Sequence, residues 1–128
     1  ASGVEGAVSL GLGGSWSIAG ALTYLSLDSA TQLRGRPEWS GNLRLLWVRG
    51  PWRVDAMLRG NSNVADSSIP TGARTTPGHI EGDTGLSYKA ADHFSIRLGL
   101  RNIGDNRSWN AIGTNAPRRS VRLLLLRE

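Results

Sequence analysis

Phe94-Ser95-Ile96-Arg97-Leu98-Gly99-Leu100-Arg101-Asn102 is the stretch on which the fold turns. Phe94, Ile96, Leu98 and Leu100 alternate with Ser95, Arg97, Gly99 and Arg101. Successive side chains of a β-strand point to opposite faces, so this stretch predicts a strand with one apolar and one charged face. Asn102-Ile103-Gly104-Asp105 follows, and its Asn, Gly and Asp favour turns. Beyond it lie a loop rich in Asn, Gly and Pro and a closing strand from Arg119 to Glu128. Four large apolar groups on one side and two arginines on the other call for an oily medium outside and water inside.

The same alternation recurs upstream. Val4, Gly6, Val8, Leu10 and Leu12 share a face before the Gly13-Gly14 turn. Trp16, Ile18, Gly20, Leu22 and Tyr24 share the next, and Trp39, Gly41, Leu43, Leu45 and Trp47 the third. Arg49-Gly50-Pro51 turns the chain into a fourth strand with Trp52, Val54, Ala56 and Leu58 outward. The fifth sets Ile80, Gly82, Thr84, Leu86 and Tyr88 against His79, Glu81, Asp83, Ser87 and Lys89, and Ala90-Ala91-Asp92 turns into the Phe94 strand. The expected fold is therefore all-β, an antiparallel up-and-down meander of about seven strands.

Its connections alternate in length. Short turns fall at 13–14, 49–51 and 90–92, and long polar segments at 28–37, 61–77 and 103–117. Short turns at one end and long loops at the other is the pattern of an outer-membrane barrel, with the long loops outside the cell. The aromatics agree. Trp16, Trp47, Trp52, Tyr88 and Phe94 stand beside the short turns on the apolar face, and Tyr24 and Trp39 beside the first long loop. Such rings form the girdles of membrane barrels. Two alternatives compete: a small soluble β-sandwich or barrel acting as a binding module, and a small outer-membrane barrel with no transport role.

Composition excludes several classes. Hydrophobic residues make up 39% and charged residues 20% of the 128, too polar for a helical membrane protein, and no run of ~18 apolar residues occurs. With no cysteine there is no disulfide, thiolate metal site or Cys nucleophile. The net charge of +5 comes almost wholly from arginine, Lys89 being the only lysine. The arginines are dispersed along strands and loops, whereas a nucleic-acid surface gathers them, so no nucleic-acid partner is expected. The chain opens Ala1-Ser2-Gly3 without a targeting segment and reads as cut from something longer.

In order along the chain, several short motifs resemble the C-terminal barrel region of TonB-dependent outer-membrane receptors. They are Gly3-Val4-Glu5, Thr23-Tyr24-Leu25-Ser26-Leu27-Asp28, Gly35-Arg36-Pro37-Glu38-Trp39, Leu100-Arg101-Asn102-Ile103-Gly104-Asp105 and Pro117-Arg118-Arg119-Ser120-Val121. The resemblance implies that residues 1–128 are the C-terminal portion of a barrel of about 22 strands. It also implies a plug domain and earlier strands upstream, outer-membrane lipid around the barrel, and coupling to the TonB system. The cargo would be a ferric siderophore, haem, cobalamin or a carbohydrate. The family usually ends in an aromatic residue; this chain ends Leu125-Leu126-Arg127-Glu128.

No catalytic, cofactor or metal site emerges. His79, Glu81 and Asp83 share a face, but at ~3.3 Å per residue the outer two stand ~13 Å apart, too far to clasp one ion. A three-residue turn at 90–92 would set Glu81 opposite Arg101 as a cross-strand ion pair. No nucleophile elbow or triad order is present, and an enzyme is not expected. Arg44, Arg53, Arg59, Arg97 and Arg101 form an inward basic set tempered by Glu5, Asp55, Glu81 and Asp83, read as a hydrated wall. Arg74, His79, Arg107 and Trp109 are the residues available to a ligand at the external mouth.

Overall fold

The computed structural model describes residues 2–26, 36–65, 75–107, 109–111 and 114–127. Seven long strands build one sheet: β1 (Ser2–Leu12), β2 (Trp16–Ser26), β3 (Trp39–Arg49), β4 (Trp52–Asn61), β7 (His79–Ala91), β8 (Phe94–Arg101) and β11 (Ser120–Arg127). Four short strands lie in the long connections. β5 (Val64–Ala65) pairs with β6 (Thr75–Thr76), and β9 (Trp109–Ala111) with β10 (Thr114–Asn115). The sheet order is β1-β2-β3-β4-β7-β8-β11, every neighbour antiparallel. The expected meander is what forms.

Local chemistry sets the corners. Gly13 and Gly14 have φ of 54° and 30°, and Gly50 has 57°, a region that costs residues with a Cβ. The first corner is a single 3-10 turn at Gly13–Ser15, and Gly50-Pro51 alone links Arg49 to its partner Trp52. The third differs from expectation: β7 continues to Ala91, the turn shrinks to Asp92-His93, and the ladder shifts register between Lys89 and Ala91. That bulge moves every later pairing of this hairpin.

The sheet has a membrane protein's distribution of surface. Val4, Leu22, Leu58, Ile80, Leu98, Leu123 and Leu125 project from one face into the surroundings, with Val4 73% and Leu123 64% exposed. Among the described residues no second layer covers them, and Ala116 is the only buried apolar side chain. A soluble sandwich would hide this face in a core, so that alternative fails on packing. Thr84, polar yet on the apolar face, donates its hydroxyl to the Asp55 carbonyl at 2.9 Å, as a group facing hydrocarbon must.

Aromatics at the short-turn end meet as tilted pairs. Trp16 and Trp47 lie directly across β2 and β3 with ring centroids 6.0 Å apart, and Trp52 meets Tyr88 across β4 and β7 at 4.5 Å. Tyr24 and Trp39 are register partners at the opposite end. β1 and β11 each pair on one side only, so the sheet is open.

Candidate functional site: the charged inward face and its mouth

Alternation carries most polar residues of the seven strands to the face opposite Leu22, Leu58 and Leu98. Register then decides which of them meet. Arg59 on β4 lies across from Glu81 on β7 and bonds it at 2.9 Å, with Asp83 at 3.3 Å. Arg101 reaches Asp83 at 4.0 Å. The expected Glu81–Arg101 pair is therefore wrong: the turn shortened to Asp92-His93, with the bulge at Lys89/Ala91, places Asp83, not Glu81, at the height of Arg101. Glu81 instead turns to the neighbouring strand.

Further toward the short turns, Arg97 on β8 bonds Asp55 on β4 across the intervening β7. Its two terminal nitrogens meet the two carboxylate oxygens at 2.7 and 2.9 Å, and Ser87 Oγ accepts a third bond at 3.0 Å. Gly85 makes this reach possible, because a Cβ there would collide with the guanidinium. Two-point guanidinium–carboxylate pairs are the strong form of this contact.

The mouth of the sheet is organised by Asn102, 1% exposed and in the left-handed region at φ 50°. Its backbone N–H donates to Asp83 at 2.9 Å. Its side-chain amide donates to the carbonyls of Asn106 (2.9 Å) and Pro117 (3.1 Å), and its side-chain oxygen accepts from the Asn106 N–H. One buried amide thus ties the exit of β8 to the approach to β11. Just outside, Asp105 accepts from Arg118 Nε at 2.8 Å, from a second Arg118 nitrogen, and from the Arg119 N–H at 3.1 Å. Arg118 first, and the Arg119 N–H second, hold the Asp105 carboxyl well below the usual carboxylate range.

Below the mouth, the inward face carries a hollow of about 390 Å³ lined by Glu5, Thr23, Asn42, Arg59, Asn61 and His79 among others. His79 Nδ1 is buried there without a hydrogen-bond partner among the described residues. Glu5 accepts a long bond from Thr23 at 3.4 Å. Amides, hydroxyls and an imidazole offer a ligand both donors and acceptors. Arg59 engages Glu81 and Asp83, and among the described residues no group of three His, Asp or Glu is placed to hold a metal ion.

The five inward arginines fall into two groups. Arg59, Arg97 and Arg101 face carboxylates, while Arg44 and Arg53 have none within ion-pair reach among the described residues. Arg122 belongs with the second group. It sits on β11 opposite Gly99, on the inward side, and sequence reasoning missed it because Leu123-Leu124-Leu125-Leu126 masks the alternation of that strand. Of the mouth residues, His79 begins β7, Arg107 is exposed just after the Asn102 knot, and Trp109 begins β9. Arg74 lies outside the described residues.

An open antiparallel wall, apolar outside, charged inside and girdled with aromatics, is a piece of a transmembrane β-barrel. The family model described as "TonB dependent receptor-like, beta-barrel" matches residues 1–103, and the chain belongs to that family, whose members are outer-membrane receptors rather than enzymes. The fold is similar to the crystal structure of the siderophore receptor PiuA from Acinetobacter baumannii (TM-score 0.77, 18% identity, 96% of this chain and 21% of that one). It is also similar to the closed form of the ferric-catecholate import receptor Fiu from E. coli (TM-score 0.75, 20% identity, 96% and 20%). The chain thus spans about one-fifth of the length of these receptors. No curated protein sequence matches it.

Proposed function

We propose that the whole protein is an energised outer-membrane importer of a ferric siderophore, and that these 128 residues form part of its barrel wall. In this reading a plug and further strands from the same polypeptide complete it, and the TonB system drives it. The observation that carries the reading is the hollow of amide, hydroxyl and imidazole groups around Asn42, Asn61, Thr23 and His79 at the mouth end of the inward face. Such a surface suits a chelate rich in carbonyl and hydroxyl oxygens. The likeness of the sheet to two receptors for iron chelates supports the same ligand class. The test is uptake of radio-iron siderophores by iron-starved cells with and without the complete receptor gene. Uptake should vanish on deletion and return with the gene. Restored uptake of cobalamin, haem or a carbohydrate, with none for iron chelates, would replace the ligand named here.

A further inference from the structure

A second hollow lies at the mouth end of the wall, and its lining reaches from the rim to the outward face. It holds about 610 Å³ and is bordered by Trp39 at the start of β3, Ile80 on β7 and the amides Asn61, Asn63 and Asn106. Trp39 and Ile80 stand on the outward face, 41% and 61% exposed, whereas the inward hollow is walled by Glu5, Thr23, Asn42 and Arg59. The two hollows share only Asn61 and His79. Trp39 is also the register partner of Tyr24 in the mouth-end girdle, so the second hollow sits at headgroup depth.

Each of its three amides is held by one end and presents the other. Asn61 Nδ2 donates to the Ser62 carbonyl at 2.8 Å, Asn63 Oδ1 accepts the Gly78 N–H at 2.7 Å, and Asn106 Nδ2 donates to the Ile80 carbonyl at 2.9 Å. Asn61 Oδ1, Asn63 Nδ2 and Asn106 Oδ1 have no hydrogen-bond partner among the described residues. The frame around them is fixed. The Ser62 hydroxyl accepts the Trp39 backbone N–H at 3.2 Å, and Asn102 bonds both the N–H and the carbonyl of Asn106. Gly78 lets the loop close, because a Cβ there would lie 2.5 Å from the Asn61 carbonyl oxygen.

We infer that this rim hollow is a saccharide site, separate from the inward one, which takes a neutral pyranose unit of a glycan at the membrane surface. A pyranose has an apolar C–H face that packs on an indole, and hydroxyls around its edge that both donate and accept. The hollow matches both, with Trp39 for the face and with two amide oxygens and one amide nitrogen for the edge. Among the described residues, His79 is its only titratable lining group. A phosphate or carboxylate would find no guanidinium or ammonium there, so an anionic ligand is disfavoured. Its volume falls in the ordinary range for small-molecule sites, roughly 300–1,000 Å³.

The experiment places the complete receptor in phospholipid nanodiscs and titrates it calorimetrically with two probes: core oligosaccharide released from outer-membrane glycolipid, and maltohexaose. The variants are Trp39→Leu and Asn63→Asp, the second keeping the oxygen that holds Gly78 while losing the presented donor. Trp39→Phe, which retains a ring, and Trp16→Leu, at the other girdle, are the controls. Unchanged heat-modifiable migration on gels shows that each barrel is folded. Wild type should bind a saccharide, and Trp39→Leu and Asn63→Asp should each weaken it at least about tenfold. Trp39→Phe should lose less than Trp39→Leu, and Trp16→Leu nothing. Tighter binding of the core oligosaccharide names a lipid headgroup as the source, and tighter binding of maltohexaose names a free glycan; either supports the site. No saccharide binding by wild type, or equal binding by wild type and both variants, overturns the inference. So does loss of iron-chelate uptake in both variants without any saccharide binding, which would assign the hollow to the import path. A receptor that binds the glycan as expected and imports no iron chelate defeats only the importer reading, a different failure.

Discussion

Arg97 on β8 closes a two-point pair with Asp55 on β4, 42 residues away in the chain, by passing over Gly85 on the strand between them. From alternation alone, Arg97→Leu would exchange one water-facing side chain for another at little cost. With the pair in place it strands a carboxylate that is only 31% exposed. The expected loss is about 1–3 kcal/mol, the penalty for a half-buried group left unpaired. Gly85→Ala should cost a similar amount by pushing the guanidinium away. The double variant should lose less than the sum, because both changes break one contact. Urea unfolding of the complete receptor in lipid vesicles measures all three, and strictly additive losses would count against the relationship.

The adjacent residue tests the other face. Leu98 is 46% exposed and lies between Leu86 and Leu123 on the side with no protein cover. Leu98→Arg should cost about 2–4 kcal/mol in a bilayer, the depth-dependent penalty for a cation facing lipid. In the same vesicle assay a substitution at Ser95, on the inward face, should stay well below that. Equal penalties at the two positions would invalidate the assignment of faces.

At the mouth, the Asp105–Arg118 contact makes the loop between β8 and β11 acid-sensitive. The folded-state pKa of Asp105 is depressed, so its stabilisation is fully present above the unfolded value of ~3.9 and is lost as pH falls below it. Hydrogen exchange of residues 102–107 should therefore be constant from about pH 8 to pH 5, after correction for intrinsic rates, and accelerate below about pH 4. Asp105→Asn should raise exchange at neutral pH and flatten this acid response. An identical acid response in that variant would assign it to another carboxylate.

Much of this was legible in the residues themselves. A strand's period of two is a property of the backbone, so Ile96, Leu98 and Leu100 opposite Arg97 and Arg101 already determined which side meets lipid. The turn glycines and the placement of the girdle tryptophans likewise followed from local rules, one from φ and one from the position of rings relative to the turns. Pairing was decided elsewhere. The two-residue turn and the bulge at Lys89/Ala91 gave Arg101 to Asp83, while the separate register of β4 against β7 gave Glu81 to Arg59. The reach of Arg97 to Asp55 depended on the registers of three strands and on the missing side chain of Gly85. Arg122 stayed hidden in a run of leucines that looks apolar on both faces, and only its partner Gly99 showed its direction. Facing is set within a strand, by the chirality and pleat of successive residues. Partnership is set between strands, by turn lengths and side-chain reach, and so it was the tertiary structure that separated the matched arginines from those with no carboxylate in reach among the described residues.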